Sequence, residues 1–200
     1  MKQLIIATKN KGKAKEFAEL FIPYQIQTKT LLDIEQPIDI AETGSTFLEN
    51  ARLKAEQARE QLNSHVLADD SGLVVDALGG EPGIYSARYA GIDATDQRNI
   101  NKIMSALKDV PEHERTARFV AVIALALENG ETIYREGICE GKIALKQAGE
   151  HGFGYDPVFI PNGYNETMAQ LDPSIKNKIS HRRQAINQLE EWLQTYKHLL

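Results

Sequence analysis

The sequence predicts a mixed α/β fold, one sheet layered by helices, and three features predict it. Ala117 to Leu127 is apolar at almost every position, so both faces of that strand must be covered, as in a central strand between helices. Segments with apolar residues at helical spacing alternate with apolar runs of strand length. Clusters of Gly, Pro, Asn and Asp punctuate the boundaries between them.

Gln3 to Ala7 reads as a strand that stops at Thr8 and Asn10, after which Ala14, Phe17, Ala18 and Phe21 recur at helical spacing. Tyr24, Ile26 and Thr28 alternate with Gln25 and Gln27 and predict a second strand, followed by a loop from Asp33 to Glu42. Phe47, Ala51, Ala55, Ala58 and Leu62 form the stripe of a long helix, opened by the reciprocal capping pair Thr46 and Glu49. His65 to Ala68 predicts a strand ending in Asp69 and Asp70, then Ser71, Gly72 and a second run, Leu73 to Val75. Leu78 to Gly91 carries too many breakers for a regular element and reads as a working loop. Thr95 to Leu107 reads as a helix with Ile100, Ile103, Met104 and Leu107 on one side. The strand Ala117 to Leu127 turns at Asn129 and Gly130 into a partner, Thr132 to Ile143. A Gly-rich loop, Gly149 to Pro157, precedes a last helix that begins near Ser180 and buries Ala185, Ile186, Leu189, Trp192, Leu193 and Tyr196.

Composition narrows the function. The chain of 200 residues is 42% hydrophobic and 26% charged, near the averages for globular proteins, so it can build a sizeable core. Against 28 Asp and Glu stand 23 Lys and Arg, a formal charge of -5. That balance argues against a general nucleic-acid binder, and any anion site must be local. The single Cys139 cannot form an internal disulfide. No run approaches the ~20 apolar residues of a membrane span, and Leu4 to Ala7 is too brief for a signal-peptide core. The expectation is a soluble cytoplasmic protein with no membrane partner.

Four constellations can carry chemistry. The turn Thr8, Lys9, Asn10, Lys11, Gly12, Lys13 puts lysines at a helix start, against the macrodipole, where a bound anion would offset the clash. It is not a Walker A loop: the opening Gly is missing and Ala14 replaces the metal-binding hydroxyl. Asp69, Asp70, Ser71 and Gly72 place adjacent carboxylates at a strand end, where α/β proteins bind ligands, and hard oxygens suit Mg²⁺; Glu42 can complete that shell. Gly152, Phe153, Gly154, Tyr155, Asp156 and Pro157 can present ring faces and a carboxylate to a base. Ser180, His181, Arg182 and Arg183 repeat the cationic helix start, with Ser180 as cap. Taken singly, each also reads as a turn or a solvated charge cluster.

Together, the blocks TKNKGKAKE (8–16), ETGSTFLEN (42–50), LADDSG (67–72), PGIYSARYAG (82–91), GFGYDP (152–157) and SHRRQA (180–185) resemble the inosine triphosphate pyrophosphatase family, across nearly the whole chain. The resemblance implies a single domain over residues 1–200, elongated and two-lobed with a central active-site cleft, a homodimer, and dependence on Mg²⁺. It implies hydrolysis of non-standard purine nucleoside triphosphates (ITP, dITP, XTP) to monophosphate and pyrophosphate. Carried over by position, Thr8, Asn10 and Lys13 hold the triphosphate with Ser71 beside them. By the same resemblance Glu42 and Asp70 bind the metal, Asp70 is also the family's base for the attacking water and Asp69 its supporting neighbour, and the residues themselves leave open which of the two acids takes the proton. Phe153, Gly154, Tyr155, Asp156, Lys176, His181 and Arg182 surround the base and the α-phosphate. Donors from Lys176, His181 or Arg182 aimed at a 6-keto oxygen would reject adenine by leaving buried partners unmatched. Lys9 and Arg183 stand where many members have Gly, which would add cations near the phosphates. A nucleotide sensor without turnover is the competing reading.

Overall fold

The computed structural model describes residues 3–34, 38, 40 and 43–196, without the side chains of residues 191 and 196. A six-stranded mixed sheet has the order β2-β1-β3-β4-β5-β6, with β1 Gln3–Ile6, β2 Gln27–Thr30, β3 Val66–Val75, β4 Thr116–Ala126, β5 Thr132–Ile143 and β6 Phe159–Pro161. β1 runs parallel to both β2 and β3, whereas β5 and β6 are antiparallel. Among the described residues five α-helices accompany the sheet: α1 Lys11–Phe21, α2 Phe47–Leu62, α3 Asp96–Ala106, α4 Pro173–Ile179 and α5 His181–Tyr196. Side-chain oxygens cap four of them, Asp172 serving α4. Asn10, Thr46 and Thr95 accept the backbone N–H groups of Lys13, Glu49 and Arg98. Among the described residues no helix is long and apolar enough to cross a membrane.

The chain divides into two compact units, Met1–Asp70 with Ala121–Gly137 and Arg182–Leu200, and Ser71–Val120 with Ile138–His181. In the first unit the period-two alternation of the strands sorts two cores. Leu67, Ile123, Leu125 and Leu127 pack with Phe17, Leu20 and Phe21 of α1 and Ala185, Ile186, Leu189 and Leu193 of α5. Val66, Ala68, Val122, Ala124 and Ala126 pack with Ala51, Ala55 and Ala58 of α2. The apolar run in β4 is thus covered on both faces, as its pattern requires. In the second unit Leu73, Val75, Ile100, Ile103, Leu107, Phe119 and Phe159 form the core, with the two phenylalanine rings 4.6 Å apart. Buried Arg115 donates to the carbonyls of Leu107 (2.6 Å), Val110 (3.0 Å) and Ala144 (3.2 Å), so a charge inside this unit satisfies backbone oxygens that would otherwise be orphaned.

Several elements depart from the expectation. The predicted break at Asp69 and Asp70 does not occur: β3 is one strand of 10 residues that runs through Asp69, Asp70, Ser71 and Gly72. Tyr24 lies in a 3-10 turn and Ile26 precedes β2, which begins at Gln27. The Leu78 to Gly91 stretch holds a 3-10 segment, Gly83–Arg88, and a bridge between Val74 and Pro82. β6 and α4 are absent from the sequence reading, although Asp172 before Pro173 is a helix-start signal and does accept Ser174 N–H. The side chain of Tyr196 lies outside the described residues, as does Glu42.

Candidate active site

Because β3 is continuous, successive side chains point to opposite faces of the sheet. Asp69 shares the face of Leu67 and meets α1 and α5; Asp70 shares the face of Ala68 and meets α2. The adjacent acids therefore do not form one carboxylate pair. The cause is strand geometry, so any support that Asp69 gives Asp70 is not a direct side-chain contact.

On the Asp69 face, Lys13 Nζ lies 2.9 Å from Asp69 Oδ2, and Arg182 Nε donates to the same oxygen at 3.2 Å. Arg182 Nη1 donates to Glu16 Oε2 at 2.7 Å. Both cationic helix starts singled out in the sequence therefore converge on one buried carboxylate. The anion that offsets them is built into the chain. Burial would raise the Asp69 pKa, but Lys13 and Arg182 outweigh it and hold the carboxyl far below the usual range. A carboxylate so stabilised is a poor proton acceptor. Burial pushes the Lys13 pKa down although Asp69 opposes the shift, and the Arg182 pKa is raised by Glu16 and Asp69 against the opposing effect of burial.

On the other face, Lys54 Nζ donates to Asp70 Oδ1 at 3.0 Å and Asn50 Nδ2 to Asp70 Oδ2 at 3.2 Å. Asn50 is fully buried, and its Oδ1 accepts Gly44 N–H at 2.8 Å. Each oxygen of Asp70 thus has a positioned donor, which fixes the carboxylate plane. β1 leaves the sheet after Ile6, whose register partner is Leu67. Beyond that point the Thr8 to Asn10 turn follows, and here the edge of β3 is no longer covered by β1. Thr8 Oγ1 accepts Asn10 N–H at 3.1 Å, so it shapes the turn, and Asn10 caps α1. Lys9 and Lys11 are exposed, and Gly12 is the second residue of α1.

In the second unit, Asp156 is buried and its Oδ2 accepts Phe153 N–H (2.9 Å) and Lys176 Nζ (2.6 Å). Lys176 Nζ also stands 4.8 Å from the centre of the Phe153 ring. Phe153 is half-buried and can present a face. Gly152 makes this packing possible: φ is +81°, and a Cβ there would collide with Asp156 Oδ2. Tyr155 is instead a core residue whose hydroxyl donates to the Ser86 carbonyl at 2.7 Å, so its ring belongs to the interior. Burial raises its pKa. The His181 ring stacks on Phe119 at 4.9 Å. Ser71 is half-buried at the start of this unit's share of β3.

Three residues around the start of α5 have partners of their own. Two nitrogens of Arg182 donate to Asp69 and Glu16, so it is the internal counter-ion of both. Burial raises the Tyr24 pKa, and the neighbouring Arg183 opposes that shift. Ser180, directly before α5, also closes α4, its N–H donating to the Lys176 carbonyl. Sequence reasoning misses Asn50, Lys54 and Glu16. The signal for the first two is present: they fall at i and i+4 on the buried stripe of α2, where polar residues need internal partners.

Known proteins match the chain along nearly its whole length. The Ham1 family model matches residues 4–192. The chain is 58% identical over 196 residues to a dITP/XTP pyrophosphatase of Oceanobacillus iheyensis, covering 98% of this chain and 100% of that one. It is 54% identical over 191 residues to a dITP/XTP pyrophosphatase of Geobacillus kaustophilus, covering 96% and 94%. The solved Ham1 protein of Staphylococcus aureus is similar at a TM-score of 0.85 with 45% identity, covering 97% of this chain and 99% of that one. The HAM1 protein of Coxiella burnetii is similar at 0.86 with 43% identity, covering 98% and 100%. With matches of this extent in sequence and in fold, the chain belongs to the Ham1 family.

Proposed function

We propose that this chain hydrolyses the non-standard purine nucleoside triphosphates dITP, ITP and XTP to the monophosphate and pyrophosphate, clearing them from the nucleotide pool. Kinship with relatives that bear that name carries the reading, and the polar clusters support it. Phosphate handling falls to Thr8, Lys9, Asn10, Lys11, Gly12, Lys13 and Ser71. Base recognition falls to Phe153, Gly154, Asp156, Lys176 and His181, with Tyr155 and Arg182 acting as internal struts.

Attack at the α-phosphorus needs the incoming oxygen and the departing pyrophosphate roughly in line, so positioning and charge neutralisation do most of the work. Asp70 takes the proton of the attacking water. Lys54 and Asn50 hold it in place, and its oxygens retain lone pairs for that task. Asp69 keeps Lys13 and Arg182 charged and oriented rather than acting as base. Lys13, whose side chain keeps some exposure, offers the neutralising cation.

Glu42 and Asp70 would hold Mg²⁺. The chemistry of the donors suits the ion: Asp70 offers hard carboxylate oxygens, and Mg²⁺ takes one or two carboxylates and completes its octahedron with water and phosphate oxygens. When bound, the ion supplies charge neutralisation and a lowered water pKa. The proposal includes a homodimer working in the cytoplasm; light scattering on the purified chain tests the dimer.

Incubation with ITP, dITP, XTP, ATP and GTP plus Mg²⁺, with pyrophosphate and orthophosphate assayed separately, tests the reaction. Pyrophosphate from the first three, abolished by EDTA and restored by Mg²⁺, is expected. Orthophosphate as the primary product, or preference for ATP, would refute it. Tight ITP binding without turnover would select a sensor instead.

A further inference from the structure

Residues without a role so far hold the Phe153 loop in place. Asp96, in the first turn of α3, accepts Gly154 N–H on its Oδ2 at 2.7 Å. Asp156 accepts Phe153 N–H at 2.9 Å. The peptide groups on both sides of the Phe153 Cα are therefore pinned by carboxylates, one from within the loop and one from α3. Behind them, the Ser86 carbonyl accepts the Tyr155 hydroxyl at 2.7 Å and Asn99 Nδ2 at 3.3 Å. Asn99 Oδ1 accepts Ala90 N–H at 2.7 Å. Gln97 and Gln147 exchange two amide hydrogen bonds, at 3.0 and 3.2 Å, and tie α3 to the approach of the same loop.

Beside Tyr155 and Asn99, Asp96 has little to do with stability. Tyr155 and Asn99 are buried and satisfy core polar groups, whereas Asp96 is exposed and its partner amide would otherwise be hydrated. An exposed hydrogen bond of this kind contributes little to folding, because water replaces it. What it supplies is geometry. Gly154 sits at φ +60° with nothing within 4 Å of where a Cβ would be, so the backbone there has unusual freedom that the Asp96 bond removes.

We propose that Asp96 is a positioning residue for base selection: by fixing the Phe153–Gly154 peptide it sets the Phe153 ring in register with Lys176 and Asp156, the polar groups able to tell a keto-purine from adenine. The inference rests on the reading of this loop as the base site. Stacking alone accepts any base. Selectivity needs the ring and the polar groups held at a fixed mutual distance.

The test compares Asp96→Ala and Asp96→Asn in the full chain. In Asp96→Ala the KM for ITP should rise roughly tenfold, the scale of a hydrogen bond to a charged group, with kcat within about twofold and a smaller ITP to ATP ratio of kcat/KM. Asp96→Asn keeps an oxygen in place and should restore most of the loss. Hydrogen exchange of residues 153–155 reads the same bond without substrate and should quicken in Asp96→Ala alone. Unchanged KM and unchanged exchange in Asp96→Ala would overturn the proposal. So would a fall in kcat and thermal midpoint at constant KM, the mark of a merely structural role at the α3 terminus. A wild-type chain that ignores ITP, with exchange still quickened in Asp96→Ala, would refute the base-site reading and the selectivity claim while leaving the loop contact established.

Discussion

Replacing Asp69 by Asn keeps the shape of the side chain and removes its charge, which separates its role from that of Asp70. Asp69 is 2% exposed and receives Lys13 at 2.9 Å and Arg182 at 3.2 Å. With Glu16, this cluster holds two cations and two carboxylates; the substitution leaves one positive charge uncompensated in the interior. Removing one partner of a buried ion pair typically costs about 3 to 5 kcal/mol, because the remaining charge stays desolvated. With a urea slope of about 3 kcal/mol/M for a chain near this size, the unfolding midpoint should fall by roughly 1 to 1.7 M at pH 7. The pH dependence follows from the sign of the shift. The folded pKa lies below the unfolded value of about 3.9, so the stabilisation is complete above that value and is lost as pH falls toward the folded pKa. The gap between wild type and Asp69→Asn should hold steady from about pH 5 to pH 8 and narrow in more acid solution. Urea titrations followed by circular dichroism at several pH values measure it. Equal midpoints at neutral pH, or a gap that widens in acid, would refute the assignment of Asp69 as an internal counter-ion.

Asp70→Asn should lower kcat by about 10² to 10⁴, the range for loss of a general base, while the circular dichroism spectrum stays native; near-normal pyrophosphate release would place the base elsewhere. Lys13→Ala should raise KM and lower kcat together, since the ammonium would meet the phosphates in both the bound state and the transition state; unaltered kinetics would remove it from the phosphate site. Gly152→Ala should cost about 1 to 3 kcal/mol, because a Cβ at φ +81° would meet Asp156 Oδ2. ITP affinity should weaken with it, and a variant with wild-type stability and KM would show that the loop can rearrange freely.

Much of the local structure is legible in the residues. The capping oxygens at Asn10, Thr46 and Thr95 either read as helix starts or lie at their edges, because a cap works over three residues of separation. β5 is legible residue for residue, and β4 within one residue at each end, since apolar strand residues and the Asn129 and Gly130 turn act locally. β6 and α4 escape the pattern because three and seven residues are too short to show a period. The break expected at Asp69 comes from treating two acids, a serine and a glycine as a turn. In the folded chain those acids are neutralised by Lys13, Arg182 and Lys54, and a neutralised acid can remain in a strand.

The order of apolar and polar residues, by itself, determined that this chain makes a helix-layered sheet and that it carries the six blocks of its family. Spacing along the chain encodes both. Only the tertiary structure decided that Asp69 and Asp70 look to opposite sides, that the starts of α1 and α5 share one carboxylate, and that Asn50 and Lys54 hold the other. Arg182 and Asp69 are 113 residues apart, and such a pairing depends on which strands and helices become neighbours, something that charge and hydrophobic period along the chain do not specify.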